Sequence, residues 1–161
     1  MNDVPSPDSI ETLSRDPRWD ADDEDWPSLA EKTLSAVNVA LKPERRGEIA
    51  LLLDDDAALQ ALNAQWRGKD KPTNVLSFPA PPGPMLGDIA VSRDTLAREA
   101  AEQGKTFRDH ALHMIVHGLL HLHGFDHETD DEAGAMEALE TQILATLGVD
   151  DPYASEAAHA L

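Results

Sequence analysis

The stretch His117-Gly118-Leu119-Leu120-His121-Leu122-His123-Gly124-Phe125-Asp126-His127 decides the fold, because it dictates a buried helix carrying two histidines on one face. His117 and His121 are four residues apart, which on a helix separates them by about 40° around the axis. That spacing offers two imidazoles to one metal ion. Gly124 follows, the residue type that most readily takes the left-handed conformation closing a helix. A sharp stop there turns the chain back and brings His127 toward the same ion. Three neutral nitrogens on a tetrahedral ion leave one corner for water, as catalytic zinc centres do. A structural centre takes four protein ligands instead.

Upstream, the same helix begins at Phe107. His110, His113, His117 and His121 fall within an arc of about 80° on it. Ala111, Leu112, Ile115, Leu119 and Leu122 take the opposite side, with Val116 and Leu120 flanking the histidine stripe. A helix with almost no wet face belongs in the middle of a domain. His110 and His113 either line the pocket or hydrogen-bond a carboxylate. His123, at about 240° from His117, points away from the stripe.

A chain of 161 residues suits one domain. We expect a single catalytic metallohydrolase domain over 26–148, preceded by an acidic, partly flexible segment 1–25 and followed by a polar tail 149–161. The absence of cysteine excludes disulfides and thiolate ligands, leaving histidine and carboxylate to bind a metal. Residues 1–25 are rich in Asp and Pro without an apolar run, so neither a signal peptide nor a membrane span is expected there, and the expected location is cytoplasmic. The net charge of −18 is unevenly spread: residues 42–108 carry ten acids and ten bases, so all the excess acidity lies at the two ends. A local basic cleft is compatible with that, because exposed charges are screened beyond about 8–10 Å. Tight non-specific binding of nucleic acid is not.

The remaining elements follow from local patterns. Ser9 to Leu13 reads as a short strand and Asp16 to Asp25 as a solvated acidic linker. Trp26-Pro27-Ser28 opens a helix running to Leu41. Glu48 to Leu53 is an apolar run fitting a buried strand, and the Asp54–Asp56 triplet caps a helix through Trp66. Two prolines bracket Val75 to Phe78, which makes this strand short and places it at a sheet edge. Gly87 to Ser92 is another strand, and Ser92 to Gln103 a helix stopped by Gly104. Asp130 or Asp131 caps a last helix through Leu147, with Met136, Leu139, Ile143, Leu144 and Leu147 inward. The predicted class is α+β: a small mixed sheet of about four strands, helices packed over it, and a buried central metal-binding helix.

The ligand spacing H-x3-H-x5-H matches that of metzincin-type metalloproteases, with one departure. Those enzymes place Glu directly after the first histidine as general base, and here that position is Gly118. A peptidase is therefore disfavoured.

The residues as a set resemble the YbeY family of bacterial rRNA maturation factors, metal-dependent endoribonucleases. The signature H-G-x-L-H-L-x-G-Y/F-D-H is met from His117 to His127, R-G-K-D-K-P-T-N-V-L-S-F-P from Arg67 to Pro79, and L-G-D-I from Leu86 to Ile89. The resemblance implies a single-strand-specific RNA hydrolase holding one zinc ion per chain through His117, His121 and His127. It would mature the small-subunit rRNA 3′ end and serve ribosome quality control. Its implied partners are single-stranded RNA and rRNA, the small ribosomal subunit, and a ribosomal protein or an Era-type GTPase; no membrane is implied. Arg67 matches the family's functional arginine, and a guanidinium suits the charge that grows on a transferring phosphoryl group.

Lys69 and Lys71 either steer the RNA backbone into the cleft or form a merely solvated basic loop. Asp126 either orients an imidazole or stabilises its turn. Asp88, by family analogy, and His113 are expected to play supporting roles. Whether water or the RNA's own 2′-hydroxyl attacks phosphorus stays open. Two other readings stand beside this one: a metallopeptidase-like hydrolase, and a non-catalytic ribosome assembly factor with structural zinc.

Overall fold

The computed structural model describes residues 9–154. Four strands, β1 (Ser9–Ser14), β2 (Glu48–Asp54), β3 (Val75–Pro79) and β4 (Met85–Ser92), form one sheet in the order β1-β2-β4-β3. β1, β2 and β4 run parallel, and β3 closes the sheet antiparallel to β4, pairing Ser77 with Ile89. Among the described residues, six helices complete the α+β fold: α1 (Pro17–Asp20), α2 (Trp26–Leu41), α3 (Asp56–Arg67), α4 (Arg93–Gln103), α5 (Phe107–Leu122) and α6 (Asp130–Thr146). β3 lies at the edge, where its terminal Pro79 costs no ladder hydrogen bond. No helix among the described residues is long and apolar enough to cross a membrane.

α5 is the centre of the molecule. Eleven of its sixteen residues are buried, and Leu112, Ile115, Leu119 and Leu120 are each at most 1% exposed. It rests on β3 and β4, with α2, α4 and α6 around it. At Gly118 the helix lies close against the sheet: a Cβ there would come within 2.9 Å of Ile89 Cγ2 and 3.1 Å of Ser77 Oγ. The Gly118 carbonyl also accepts a hydrogen bond from Ser77 Oγ at 3.2 Å. A side chain at position 118 would therefore have to displace Ile89 or Ser77. Gly118→Ala is expected to lower stability by about 1–3 kcal/mol from overpacking, even though Ala is the better helix former. Denaturant titration measures it; a more stable variant would mean that the sheet yields readily.

The acidic stretch Asp16 to Asp25 is not a solvated linker. β1 pairs with β2 along its whole length, and Trp19 in α1 is fully buried, its indole N–H donating to the Asp54 carbonyl at 3.1 Å. Trp19 packs against Trp26 and Phe107 with ring centroids 5.3 Å away in each case. Arg93 lies over Phe107 and Trp19 and grips Asp22 through two 2.7 Å hydrogen bonds. Single aromatic residues inside a charged run defeated the compositional reading, since one Trp buries as much surface as several acids leave wet. Strand β1 and helix α1 therefore precede residue 26 yet share the core of the predicted catalytic domain. Residues 1–8 of the segment expected to be partly flexible lie outside the described residues.

The Arg93 hydrogen bonds hold the Asp22 carboxyl below its ordinary pKa. A carboxylate depressed in the folded state contributes stability above its ordinary pKa and loses it as pH falls through the folded value. Asp22→Asn should therefore cost about 1 kcal/mol at neutral pH, with the gap to wild type closing below about pH 4. Urea melts at both pH values measure this, and an equal gap at the two would count against the pair.

The predicted cap of the last helix also needs correction. Thr129, not Asp130 or Asp131, is the N-cap: its hydroxyl accepts from Glu132 N at 3.1 Å while Glu132 Oε1 accepts from Thr129 N at 3.2 Å. This reciprocal box satisfies two end groups, and the two aspartates fall in the first turn, where the helix dipole favours them.

Candidate metal centre

α5 ends with a Schellman closure. Gly124 takes φ = 91°, its N–H donates to the His121 carbonyl, and the Phe125 N–H donates to that of Leu120, both at 3.0 Å. The reversal carries His127 back over the helix end. His117 Nε2 and His121 Nε2 then stand 3.1 Å apart, and one nitrogen from each of His117, His121 and His127 lies within 4.8 Å of the others.

Tetrahedral zinc with bonds of about 2.0–2.1 Å requires nitrogens about 3.4 Å apart. The α5 pair, at 3.1 Å, is close to that spacing, and His127, the exposed member, offers a nitrogen within 4.8 Å of both. The protonation pattern fits as well. His117 Nδ1 sits 2.8 Å from Glu140 Oε2, so its proton is held there and Nε2 keeps a lone pair. Burial pushes the His121 imidazole below its ordinary pKa, and the neighbouring His117 and His127 add to this, which favours the neutral, ligating form.

Glu140 was not among the residues singled out from sequence. It is 1% exposed, on the inner face of α6, and accepts from His117, from His113 Nε2 at 3.3 Å and from the Tyr153 hydroxyl. Burial alone would raise its pKa, but the hydrogen bonds from His113 and His117 lead the effects that carry it down to about 2. The signal was legible: Glu140 is four residues after Met136 and four before Leu144, a lone acid on an apolar stripe. His113 accordingly stands behind the ligands, against this carboxylate. His110 similarly meets Glu99 at 2.9 Å, and Glu99 in turn accepts from Asn74.

The three histidines line a cleft of about 830 Å³ that Arg67, Lys69 and Lys71 also line. Gly68 caps α3, and buried Asn63 donates to the Lys71 carbonyl at 2.9 Å and accepts from Lys69 N at 3.2 Å, which pins the basic loop. Arg67 donates through one terminal nitrogen to the outward-facing Ser77 carbonyl at 2.6 Å and lies 5.4 Å from the Phe78 ring centre. Asp126 also lines the cleft, but its Oδ1 accepts from the His127 backbone N–H at 2.8 Å, the turn-stabilising arrangement. Asp88 is not brought to the site. It is exposed on β4 and shares a face with Ala90, which packs under α3, whereas Ile89 meets α5.

Three histidines that could hold one metal ion, in a cleft also lined by Arg67, Lys69 and Lys71 on an α+β sheet, define a metal-binding hydrolase. The chain belongs to the endoribonuclease YbeY family, whose sequence model matches residues 12–148. It is 51% identical over 148 residues to endoribonuclease YbeY of Rhizobium johnstonii, covering 80% of this chain and 86% of that one. The YbeY protein of Allorhizobium ampelinum is 58% identical over 116 residues, covering 68% of this chain and 70% of the relative. Among solved structures, that of TM1509 from Thermotoga maritima superposes with a TM-score of 0.62 at 25% identity, covering 93% of each chain.

Proposed function

We propose that this chain is a zinc-dependent endoribonuclease that cuts single-stranded RNA, acting in small-subunit rRNA 3′-end maturation and ribosome quality control. The observation that carries the reading is the convergence of His117, His121 and His127 on one point in the same cleft as Arg67. The endoribonuclease name of the family and of its relatives supports RNA as the substrate. The ribosomal context, with a ribosomal protein or an Era-type GTPase as partner, rests on the family resemblance.

When bound, zinc supplies Lewis acidity and lowers the pKa of coordinated water toward 7. The chain's own groups do the rest. Arg67 spends one donor on Ser77, and its remaining N–H groups are free to grip phosphate oxygens as charge develops on them. Lys69 and Lys71 draw the backbone into a cleft that also holds Asp126 and Glu128, so attraction is local and salt-sensitive. Glu140 keeps the proton on His117 Nδ1.

Zinc content per chain, measured together with cleavage of single-stranded RNA, duplex RNA and a fluorogenic peptide library, tests the proposal. One ion per chain and selective loss of the single strand is the expected result. Cleavage of peptide but not RNA would overturn it. A 2′,3′-cyclic phosphate product would assign the attack to the RNA's 2′-hydroxyl, and a linear phosphate with no cyclic precursor would assign it to water.

A further inference from the structure

The residues just beyond α6 pack back onto the domain and reach the metal centre from behind. Val149 is buried in the main core, and Pro152 is buried with its carbonyl accepting from Lys105 Nζ at 2.8 Å. Asp151 Oδ1 accepts from Tyr153 N at 2.9 Å and from Thr141 Oγ1 at 3.3 Å, fixing the turn that aims Tyr153 inward. The Tyr153 ring meets His113 edge to face, with centroids 5.5 Å apart at 87°. Its hydroxyl donates to Glu140 Oε1, while Glu140 Oε2 faces both His117 Nδ1 and His113 Nε2. Tyr153 lies outside the residues matched by the family model and does not line the cleft.

We propose that Tyr153 is a positioning residue for the metal centre: by engaging Glu140 Oε1 it holds the carboxylate in the orientation that keeps Oε2 on His117 and His117 Nε2 aimed at the ion. A carboxylate this buried must find a donor for each oxygen inside the protein. Without the Tyr153 hydroxyl, Oε1 competes with Oε2 for the same two imidazoles, and the His117 ring loses its fixed tautomer and direction. Groups that orient a metal ligand in this way typically set affinity by about 10–100-fold. The inference rests on the reading that His117, His121 and His127 hold zinc.

Zinc affinity by competition with a chromophoric chelator, and the His117 tautomer by nitrogen NMR of the zinc-free protein, test it in wild type, Tyr153→Phe and Lys105→Met. Lys105→Met loosens the anchored segment without touching Glu140 or the histidines and guards against a misfolded Tyr153 variant. The expected result is an approximately 10-fold weaker zinc affinity in both variants, mixed His117 tautomers, and RNase activity restored by saturating zinc. A Tyr153→Phe protein that binds zinc as tightly as a zinc-binding wild type, with His117 still protonated on Nδ1, overturns the role of Tyr153 alone. A wild type that takes up no zinc overturns the metal reading and this inference with it.

Discussion

His121→Ala is expected to stay folded while losing both zinc uptake and RNA cleavage. His121 is half-buried at the mouth of α5, and its Nε2 faces His117 Nε2 at 3.1 Å. Removing it leaves two imidazoles, too few for a catalytic zinc centre. The fold does not depend on that contact. α5 is held by Leu112, Ile115, Leu119 and Leu122 packed on the side away from the ligands, in a core that also takes in Trp19, Ile89 and Val91. The two functions of a bound ion separate in a melting experiment. Zinc at a hundredfold excess over its Kd should stabilise the wild type by about 2.7 kcal/mol and the variant not at all, while the zinc-free proteins melt together. If the ion were structural, as in a non-catalytic assembly factor, the variant would be unfolded even without comparison to a loaded state. Collapse of His121→Ala would thus favour that rival, and a folded, inactive variant the enzyme.

The cluster of three histidines was legible because a helix repeats: four-residue spacing fixes a shared face, and Gly124 announces the stop that returns His127. The edge strand at Val75–Pro79 was legible because proline forbids a central position. What sequence could not supply were the contacts between distant segments. Gly118 reads as a missing general base, yet its immediate cause is the approach of Ile89, contributed by a strand some thirty residues earlier. Trp19 looked like part of an acidic linker because its partners Trp26, Asp54 and Phe107 come from three other elements. Tyr153 carries no motif at all, and Glu140 shows only as a lone acid on an apolar stripe; the meaning of both lies in the hydrogen bonds they make with His117 and His113. Asp88, placed by analogy, faces the other side of its strand, a parity that two-residue periodicity fixes once Ile89 is known to meet α5.

Arg67→Ala should lower kcat by about 10²–10³ with zinc affinity unchanged. Arg67 lines the same cleft as the histidines, its guanidinium held by the Ser77 carbonyl and the Phe78 ring, so it is already positioned before substrate arrives. A preorganised cation stabilises growing phosphoryl charge without the cost of reorienting water, which places its effect in the transition state and hence in kcat. Lys69 and Lys71, on the loop pinned by Asn63, contribute long-range attraction, so their removal should raise KM and weaken the salt dependence while leaving kcat near wild type. Arg67→Lys separates charge from geometry. A lysine can still satisfy Ser77 or meet a phosphate as a point charge, but it cannot hold both, nor bind two oxygens in parallel. It should therefore recover only part of the lost rate. Equal rates for Arg67→Lys and wild type would reduce the role to bulk charge. A pure KM effect in Arg67→Ala would assign the residue to substrate binding alone.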